Sequence, residues 1–436
     1  MSMASKPSYE TNQTRPGNAT QKYLPGSFFW HLPRNVYLLL LFTIGKGFQL
    51  SIALLTLNYY AHSLGYRPDF IGVFSAVPAI GALIGAVPTG MLADRIGRKP
   101  VLVISAILAP LFLAATALVT QAPLLLLLSM LQGLVSTAYW VTNVPLLVEE
   151  TTNEQRVGVL ALNSFLLLGI GALGNLLGGA IPEFVAGLLH VSAGSTVPLR
   201  LGVITAALFT FVFGLPLWFL KEGKRQPVAT TASGKLRQET IKERRPVSLF
   251  IQLLVPDLVF TMGEGAVVAL MQIYFVLRFS LLPGPLGIIF TISGLAGGIF
   301  SLTAPLFVHR WSKLRIITTV QYLSAPLMIL IGFAPALPLA IAGEYARSFM
   351  RTLIDPVYAA FAMEKVSDRQ RATLAGFYSV TWSVGFSVGP TVAGWLQTGF
   401  GLSASFIFGA FCLLVAPSLL LMFFARKRVR LHKVES

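Results

Sequence analysis

The sequence predicts an all-α integral membrane protein with twelve transmembrane helices, and three observations support this prediction. Hydrophobic residues make up 55% of the chain and charged residues only 11%, whereas soluble domains carry about 25% charged residues. Apolar runs long enough to cross a bilayer recur along the whole length. The basic residues between these runs are concentrated on alternate loops, which is typical of a polytopic membrane protein.

Twelve apolar runs of sufficient length can be placed along the chain, and they are numbered here as spans 1 to 12. Several contain proline, which does not argue against helix, because neighbouring helices in a bundle satisfy the backbone groups that proline frees. The predicted spans cover residues 35–60, 70–92, 100–121, 124–148, 158–182, 199–220, 248–277, 284–308, 314–334, 338–362, 373–398 and 402–425.

The basic residues predict that both ends of the chain lie in the cytoplasm. With the N-terminus inside, 27 of the 33 Lys and Arg residues fall in cytoplasmic segments, in agreement with the positive-inside rule. Three others fall in outer loops, and Lys46, Arg347 and Arg351 lie within spans. The net charge of +16 therefore reflects membrane orientation. A nucleic-acid partner is not expected, because the bases are spread over seven short segments.

The spans divide the chain into two bundles of six helices. We predict a cytoplasmic tail over 1–34, a first bundle over 35–220, a cytoplasmic linker over 221–247, a second bundle over 248–425 and a cytoplasmic tail over 426–436. The first tail is polar and lacks the short apolar core of a cleavable signal peptide.

No residue pattern in the sequence suggests an enzyme. Cys412 is the single cysteine, so an intramolecular disulfide is impossible, and no His has a second ligand at metal-binding spacing. The sequence also lacks a phosphate-binding glycine loop and a plausible nucleophile triad. We therefore expect no catalytic residues, no cofactor and no bound metal.

The two predicted bundles are related by an internal repeat. Adding 215 to positions in the first half places tyrosines, charged residues and glycines on identical residues of the second half, without a gap. Charged residues make up only 11% of the chain, so three matched charged positions argue against chance identity. The matched pairs are Tyr59 and Tyr274, Arg95 and Arg310, Glu149 and Glu364, Arg156 and Arg371, Gly174 and Gly389, and Gly179 and Gly394.

The loop between spans 2 and 3 carries one acid and three bases in a glycine-bracketed turn. It reads Gly90-Met91-Leu92-Ala93-Asp94-Arg95-Ile96-Gly97-Arg98-Lys99, and it contains every defined residue of the pattern G-x-L-A-D-R-x-G-R-K. The loop therefore resembles the signature of the major facilitator superfamily, a family of 12-helix transporters. The resemblance covers about residues 35–425. It implies two parallel six-helix halves with a substrate site between them near the membrane midplane.

The resemblance also implies a gating role for this loop. The acid, here Asp94, would lock the halves together on the cytoplasmic side, where the N-terminus of span 11 favours an anion. Arg95, Arg98 and Lys99 would reach acidic ends of neighbouring helices. Ordinary interfacial charge is the alternative interpretation. The other predicted gating residues are Gly90 and Gly97 in the loop, Glu149, Glu150 and Arg156 after span 4, and Glu364 and Arg371 after span 10.

The second copy of the loop has lost its acid. Residues 305–313 keep Arg310 but have His309 at the position that corresponds to Asp94. We therefore expect the acid-dependent function in the first half only.

Small residues in spans 5 and 11 predict close helix packing. The family's antiporter signature in span 5 is G-x-x-x-G-P-x-x-G-G, and Ile170 and Asn175 replace its first Gly and its Pro. Span 11 carries a Gly-Pro pair instead, so packing alone and an antiporter signal both stay open. The predicted packing residues are Gly174, Gly178, Gly179, Gly385, Gly389, Pro390 and Gly394.

Ionisable residues inside the spans are the strongest chemical feature of the sequence. Each costs at least ~2.5–3.5 kcal/mol to place at mid-membrane, so these side chains must pair with one another or line a water-filled cavity. Those of span 10 follow each other by three, four and four positions and share one helix face. They are Glu344, Arg347, Arg351 and Asp355, with Tyr358 on the same stripe; span 7 adds Asp257 and Glu264, and span 1 adds Lys46.

The resemblance implies that spans 1, 4, 7 and 10 line the central cavity, and a structural network of salt bridges is the alternative. Lys46 is expected to be coupled to the acids of spans 7 and 10. Glu264 is expected to be the main proton carrier, because no basic residue lies within four positions of it. Span 4 adds aromatic rings and amides suited to an organic ligand, namely Gln132, Tyr139, Trp140 and Asn143.

Together these features predict a secondary active transporter that exports a small organic solute, driven by a proton gradient, through rocking-bundle alternating access. Proton-coupled or facilitated uptake of a metabolite, including an anionic one, is the first alternative. A non-transporting membrane sensor on the same fold is the second. The expected partners are the lipid bilayer, the solute and protons. We expect a monomer in a bacterial-type inner membrane.

Overall fold

The computed structural model describes residues 32–221, 247–301 and 311–432. The regular structure within these ranges is helical, and it follows the twelve predicted spans. Nine helices of the described residues are long and apolar enough to cross a membrane. Span 10 is not one of these nine, because it carries the charged stripe.

The first six spans contain two short irregular helices besides their α-helices. The Thr152 side chain accepts a hydrogen bond from the Gln155 amide and so begins span 5 with a capping box. Spans 1 to 4 are Arg34–Ser63, Pro68–Ile96, Arg98–Leu118 and Ala122–Glu149; span 5 is Asn153–Ser164, a π-helical turn Phe165–Ile170 and Gly171–Leu189; span 6 is Thr196–Gly214 followed by a 3-10 turn Leu215–Phe219.

The last six spans contain one broken helix, in span 7. The break frees the carbonyl oxygen of Ala269, which accepts a hydrogen bond of 2.7 Å from Asn58 Nδ2 of span 1. A side chain of the first half thus satisfies a backbone group of the second. Span 7 is Val247–Val268 and Met271–Phe279, span 8 is Pro283–Ser301, span 9 is Lys313–Gly332, span 10 is Leu337–Glu364, span 11 is Asp368–Phe400 and span 12 is Ala404–His432.

Some predictions concern residues outside the described ranges. They are the first tail up to residue 31, the linker over 222–246, the last four residues of the second tail, and the decayed loop copy at His309 and Arg310.

The repeat at an offset of 215 extends to the contacts between the halves. Span 11 packs on span 2, and span 5 packs on span 8, with their backbones very close. A methyl group added to Gly394 would lie 2.3 Å from the carbonyl oxygen of Pro68, and one added to Gly179 would lie 2.3 Å from that of Pro283. Pro283 and Gly394 follow Pro68 and Gly179 by the repeat offset, so the two interfaces are copies of one contact.

The two halves meet at one face of the bundle and are apart at the other. We name the face that carries residues 90–99 the signature face and the other the opposite face. The cross-half bond between Asn58 and Ala269 lies toward the opposite face. The close approaches of spans 2 and 11, at Pro68 with Gly394 and at Gly72 with Pro390, also lie toward the opposite face, whereas Met91 of span 2 and Phe377 of span 11, toward the signature face, are exposed. The space between the halves therefore opens toward the signature face.

Candidate functional site

Five charged side chains of spans 7 and 10 form a continuous ionic network, which we name the charge chain. Arg347 Nε and Nη2 donate to the Glu344 carboxylate at 2.8 and 2.9 Å, and its Nη1 donates to Glu264 Oε2 at 3.0 Å. Arg351 Nη1 donates to the same Glu264 oxygen at 3.0 Å, and its Nε donates to Asp355 Oδ1 at 3.3 Å. Acidic and basic side chains therefore alternate in the charge chain, in the order Glu344, Arg347, Glu264, Arg351 and Asp355.

The charge chain is buried at one end and exposed at the other. Glu264, Glu344 and Arg347 are buried, whereas 57% of the Asp355 side chain is exposed. Such buried ions are tolerated because each one is paired. The charge chain contains three carboxylates and two guanidiniums, so one negative charge is unbalanced. This charge is best accommodated at Asp355, the exposed acid. Tyr358, the next residue on the stripe, is buried and donates to a backbone carbonyl of span 7 at 2.9 Å.

Glu264 has two basic neighbours in the structure, although no base lies within four positions of it in the sequence. Arg347 and Arg351 follow it by 83 and 87 positions, and the packing of span 10 beside span 7 brings both guanidiniums to its carboxylate. Sequence spacing along one helix does not report such a neighbour. The Glu264 carboxylate therefore bridges two guanidiniums of span 10.

Asp257 is the one acid of the predicted cavity that forms no ion pair within the described part of the chain. Its Oδ2 accepts a hydrogen bond from Thr381 Oγ1 of span 11 at 2.5 Å. Asp355 and Arg351 are its electrostatic neighbours. By their positions along spans 7 and 10, Asp257 and Asp355 lie nearer the open signature face than Glu264 does. Asp355 is exposed and Asp257 is half-buried, so these two acids form the acidic end of the site that is nearest the open face.

Lys46 is buried in the first half, and its bonds within the described residues go to neutral groups. Its Nζ donates to Gln49 Oε1 at 2.7 Å and to Ser136 Oγ at 3.2 Å. The half-buried Gln132 donates to the same Ser136 hydroxyl at 3.0 Å. The expected pairing of Lys46 with acids of spans 7 and 10 is not present, because its side chain is turned toward span 4 of its own half.

The residues predicted to line the cavity from span 4 do not share one environment. Tyr139 and Asn143 are buried, and both bind Thr43 of span 1, at 3.2 and 3.4 Å. Asn143 also donates to Asn163 Oδ1 of span 5 at 3.1 Å. Trp140 is 53% exposed. The expectation that Tyr139 and Asn143 face the cavity is therefore wrong, because their face of span 4 packs on spans 1 and 5.

Ion pairs at the signature face repeat in the two halves. Arg98 of span 3 pairs with Glu149 of span 4, and Lys313 of span 9 pairs with Glu364 of span 10, at the repeat offset of 215. Lys99, beside the first pair, is half-buried. Both glutamates are exposed, so each pair contributes only about 0–1 kcal/mol. The two pairs show that the duplicated halves keep the same local contacts.

A second repeated contact connects the C-terminal ends of spans 4 and 10 to the spans that follow them. Arg156 Nη2 donates to the Val148 carbonyl oxygen at 3.5 Å, and Arg371 Nε donates to the Met363 carbonyl oxygen at 3.2 Å. A cation is favoured at these positions, because the last carbonyls of a helix lack backbone partners. The predicted clusters after spans 4 and 10 therefore have the same arrangement.

The remaining predicted gating residues lie apart from these pairs. Glu150 Oε1 accepts a hydrogen bond of 2.8 Å from Asn35 Nδ2, which fastens the end of span 4 to the start of span 1. Gly97 has a φ of 101°, a conformation that favours glycine, and it separates span 2 from span 3. Asp94 and Arg95 are exposed on the last turn of span 2.

The predicted packing residues lie where helices approach most closely. Within the halves, Gly174 and Gly178 pack on span 1, and Gly385 and Gly389 pack on span 7. A methyl group added to Gly389 would lie 2.4 Å from a backbone oxygen of span 7. Neighbouring residues of the same two spans contact the other half. These contacts are Gly179 with Pro283, Gly394 with Pro68, and Pro390 with Gly72.

Several polar residues that complete these contacts are not apparent from the sequence. Thr381 binds Asp257, Gln49 and Ser136 bind Lys46, and Asn163 binds Asn143. Their sequence signal is a polar residue in an apolar span. That signal is weak for Ser and Thr, because their hydroxyls also bond to carbonyls of their own helix.

Comparison with known proteins agrees with this description. The family model described as Major Facilitator Superfamily matches residues 37–346 and 253–436, which together span most of the chain. One curated relative is the Multidrug resistance protein MdtG of Dickeya zeae (strain Ech586). It is 27% identical over 313 residues, which are 69% of this chain and 72% of that protein.

Solved structures share the fold at low sequence identity. A bacterial homologue of the human lysosomal transporter Spinster, inward-facing and occupied, has a TM-score of 0.74 at 12% identity, over 89% of this chain and 96% of that chain. A D-xylose-proton symporter has a TM-score of 0.70 at 15% identity, over 89% and 97%. The nucleoside transporter NupG has a TM-score of 0.68 at 16% identity, over 90% and 99%. These structures show the fold, and the family match along the chain establishes that the protein belongs to the Major Facilitator Superfamily of membrane transporters.

Proposed function

We propose that this protein exports a small organic solute in exchange for protons by alternating access. Family membership supports a membrane transporter, and the proposal adds the coupling ion and the direction. We assign the signature face to the cytoplasm, because 27 of the 33 Lys and Arg fall in segments on that side. The space between the halves then opens to the cytoplasm in this structure. A monomer in a bacterial-type inner membrane completes the proposal.

The single observation that carries the coupling proposal is the unbalanced charge chain. Its exposed end is Asp355, which has one bond of 3.3 Å to Arg351. Asp257 adds a second carboxylate nearby, with the Thr381 hydroxyl as its partner. A proton on Asp355 cancels the unbalanced charge and frees the Arg351 Nε. We therefore assign proton uptake to this accessible end and not to Glu264.

Exchange follows if solute and proton compete for the acidic end. A solute that enters from the cytoplasm displaces the proton from Asp355 or Asp257. The solute-loaded transporter then opens to the opposite face, where protons replace the solute. Protons then move down their gradient while the solute moves out. For a solute with one positive charge, the charge of the cavity is the same in both crossings, which keeps the membrane cost of the central charges low.

Uptake of a metabolite is the second candidate, and Lys46 is the observation that favours it. A buried ammonium bound only to neutral groups in the described residues can receive an anionic group of a solute. The relative MdtG is a multidrug resistance protein, which favours export. The D-xylose-proton symporter and the nucleoside transporter share the fold, so uptake is the alternative direction.

Flux into everted membrane vesicles tests the proposal. The expected result over a panel of organic compounds is accumulation that needs an acid interior and is lost with an uncoupler. Asp355→Asn should lose gradient-driven accumulation but keep exchange of preloaded solute. Full accumulation in the Asp355→Asn and Asp257→Asn double variant would overturn the coupling assignment. Gradient-driven accumulation only in right-side-out vesicles would select uptake.

A further inference from the structure

Two hydrogen bonds at the opposite face connect side chains of one half to helix N-termini of the other. Thr398 Oγ1 of span 11 accepts from the Asp69 amide of span 2 at 3.0 Å. Glu183 Oε1 of span 5 accepts from the Gly284 amide of span 8 at 3.0 Å. Thr398 and Gly284 follow Glu183 and Asp69 by the repeat offset of 215. The two bonds are therefore one contact, present in both copies of the repeat.

Both amides are helix donors that have no carbonyl partner in their own helix. Spans 2 and 8 begin at Pro68 and Pro283, and proline has no N–H, so Asp69 and Gly284 carry the first amide of each helix. The residue before span 2, Arg67, provides no side-chain cap. An oxygen that accepts from such an amide is an N-cap, and here each cap comes from the other half of the protein.

The two helix ends obtain their negative charge in complementary ways. At span 2 the Asp69 carboxylate accepts from the Phe70 amide at 2.8 Å, and the partner from the other half, Thr398, is neutral. At span 8 the residue that corresponds to Asp69 is Gly284, which has no side chain, and Glu183 supplies the carboxylate. A Cβ on Gly284 would lie 2.2 Å from that carboxyl group, so a side chain here would displace the carboxylate from this position. Each N-terminus thus has one anion, which the helix dipole favours.

We propose that these cross-half caps, Thr398 on span 2 and Glu183 on span 8, form the gate that holds the opposite face closed. The inference rests on the alternating access of the proposed function. Both bonds require that the halves touch at this face, so both must break when it opens. Opening then leaves two first-turn amides to water, and closure restores them. Glu183 and Thr398 act as positioning residues for transport, without contact to the solute.

One-sided alkylation measures how often this gate opens. The reporter is Ala269→Cys in a Cys412→Ser background, in the full chain in sealed vesicles. Ala269 is buried, and its carbonyl accepts from Asn58 of the other half, so it lies at the closed interface. A membrane-impermeant maleimide is added from the opposite face. Its rate of reaction is proportional to the open fraction, even when that fraction is small.

Thr398→Val and Glu183→Ala are each expected to raise the alkylation rate about five-fold, which is the effect of losing a cap worth about 1 kcal/mol. The double variant is expected to react about 25-fold faster if the caps are independent. Thr398→Ser keeps the oxygen and should restore the original rate. Thr391→Val is the matched control on the same helix, because the Thr391 hydroxyl donates to the Ser387 carbonyl of its own helix.

Unchanged rates in both Thr398→Val and Glu183→Ala would overturn the gate, and so would an equal acceleration in Thr391→Val. Solute exchange measured in the same vesicles separates this failure from failure of alternating access. Solute exchange together with unchanged alkylation rates would contradict the gating role of the caps but not alternating access. No exchange, with the reporter unreactive from this side in every variant, contradicts both the caps and the proposed function.

Discussion

The guanidinium of Arg347 on span 10 binds the carboxylate of Glu264 on span 7, with Nη1 3.0 Å from Oε2. Both side chains are buried. Removing one partner of a buried ion pair leaves an uncompensated charge and typically costs about 3–5 kcal/mol. This contact therefore holds spans 7 and 10 together, and a change at Glu264 acts on folding before it acts on coupling.

Glu264→Gln is expected to lower the free energy of unfolding by about 3 kcal/mol, because Arg347 and Arg351 lose their shared carboxylate. Thermal denaturation in detergent measures the change as a lower midpoint. Glu364→Gln is the control, since its carboxylate is exposed and its loss should cost less than about 1 kcal/mol. A Glu264→Gln protein as stable as the parent, but without gradient-driven transport, would return the proton-carrier role to Glu264.

Lys46→Met is expected to keep or raise the thermal midpoint, because it removes a buried cation whose partners are Gln49 and Ser136. The pH profile of transport should not move, since no carboxylate of the described residues binds the Lys46 ammonium. Profiles of the two proteins over the same pH range measure this. A displaced profile in Lys46→Met would show direct coupling to the acids of spans 7 and 10. Loss of transport of anionic solutes alone in Lys46→Met would support the uptake alternative.

Asp94→Asn is expected to weaken closure of the signature face by about two- to thirty-fold, which corresponds to about 0.3–2 kcal/mol for a charge at a helix N-terminus. The fold should be unaffected, because Asp94 is exposed. Spin labels at Gly187→Cys and Gly399→Cys report the distance between the halves at the opposite face. Both positions leave an added Cβ without neighbours within 4 Å. The short-distance population should rise in Asp94→Asn, and identical populations would refute its gating role.

Gly394→Ala is expected to destabilise the closed opposite face, because the added methyl would lie 2.3 Å from the backbone oxygen of Pro68. The Ala269→Cys reporter should then react faster from that side. Gly399→Ala is the matched control on the same helix, where an added methyl meets no atom within 4 Å. Equal rates in the two glycine variants would mean that this close approach does not set the conformation.

Features that depend on neighbours along the chain could be predicted from the amino-acid order. Apolar length and the local hydrogen bonds of a helix define a span, so the prediction of span 10 at 338–362 agrees with the observed Leu337–Glu364. The fold class is confirmed for the same reason. The repeat offset was also readable, because duplicated residues keep their order, and the Arg98–Glu149 and Lys313–Glu364 pairs follow it.

Contacts between side chains of different helices could not be predicted in this way. Spacing along a helix places residues on one face, but the rotation and packing of that helix decide what the face contacts. The two arginines at Glu264, the neutral partners of Lys46 and the burial of Tyr139 all depend on helices distant in sequence. The caps from Glu183 and Thr398 depend on contact between the halves. These partners are absent from any local pattern, because each bond forms only after separate helices have packed.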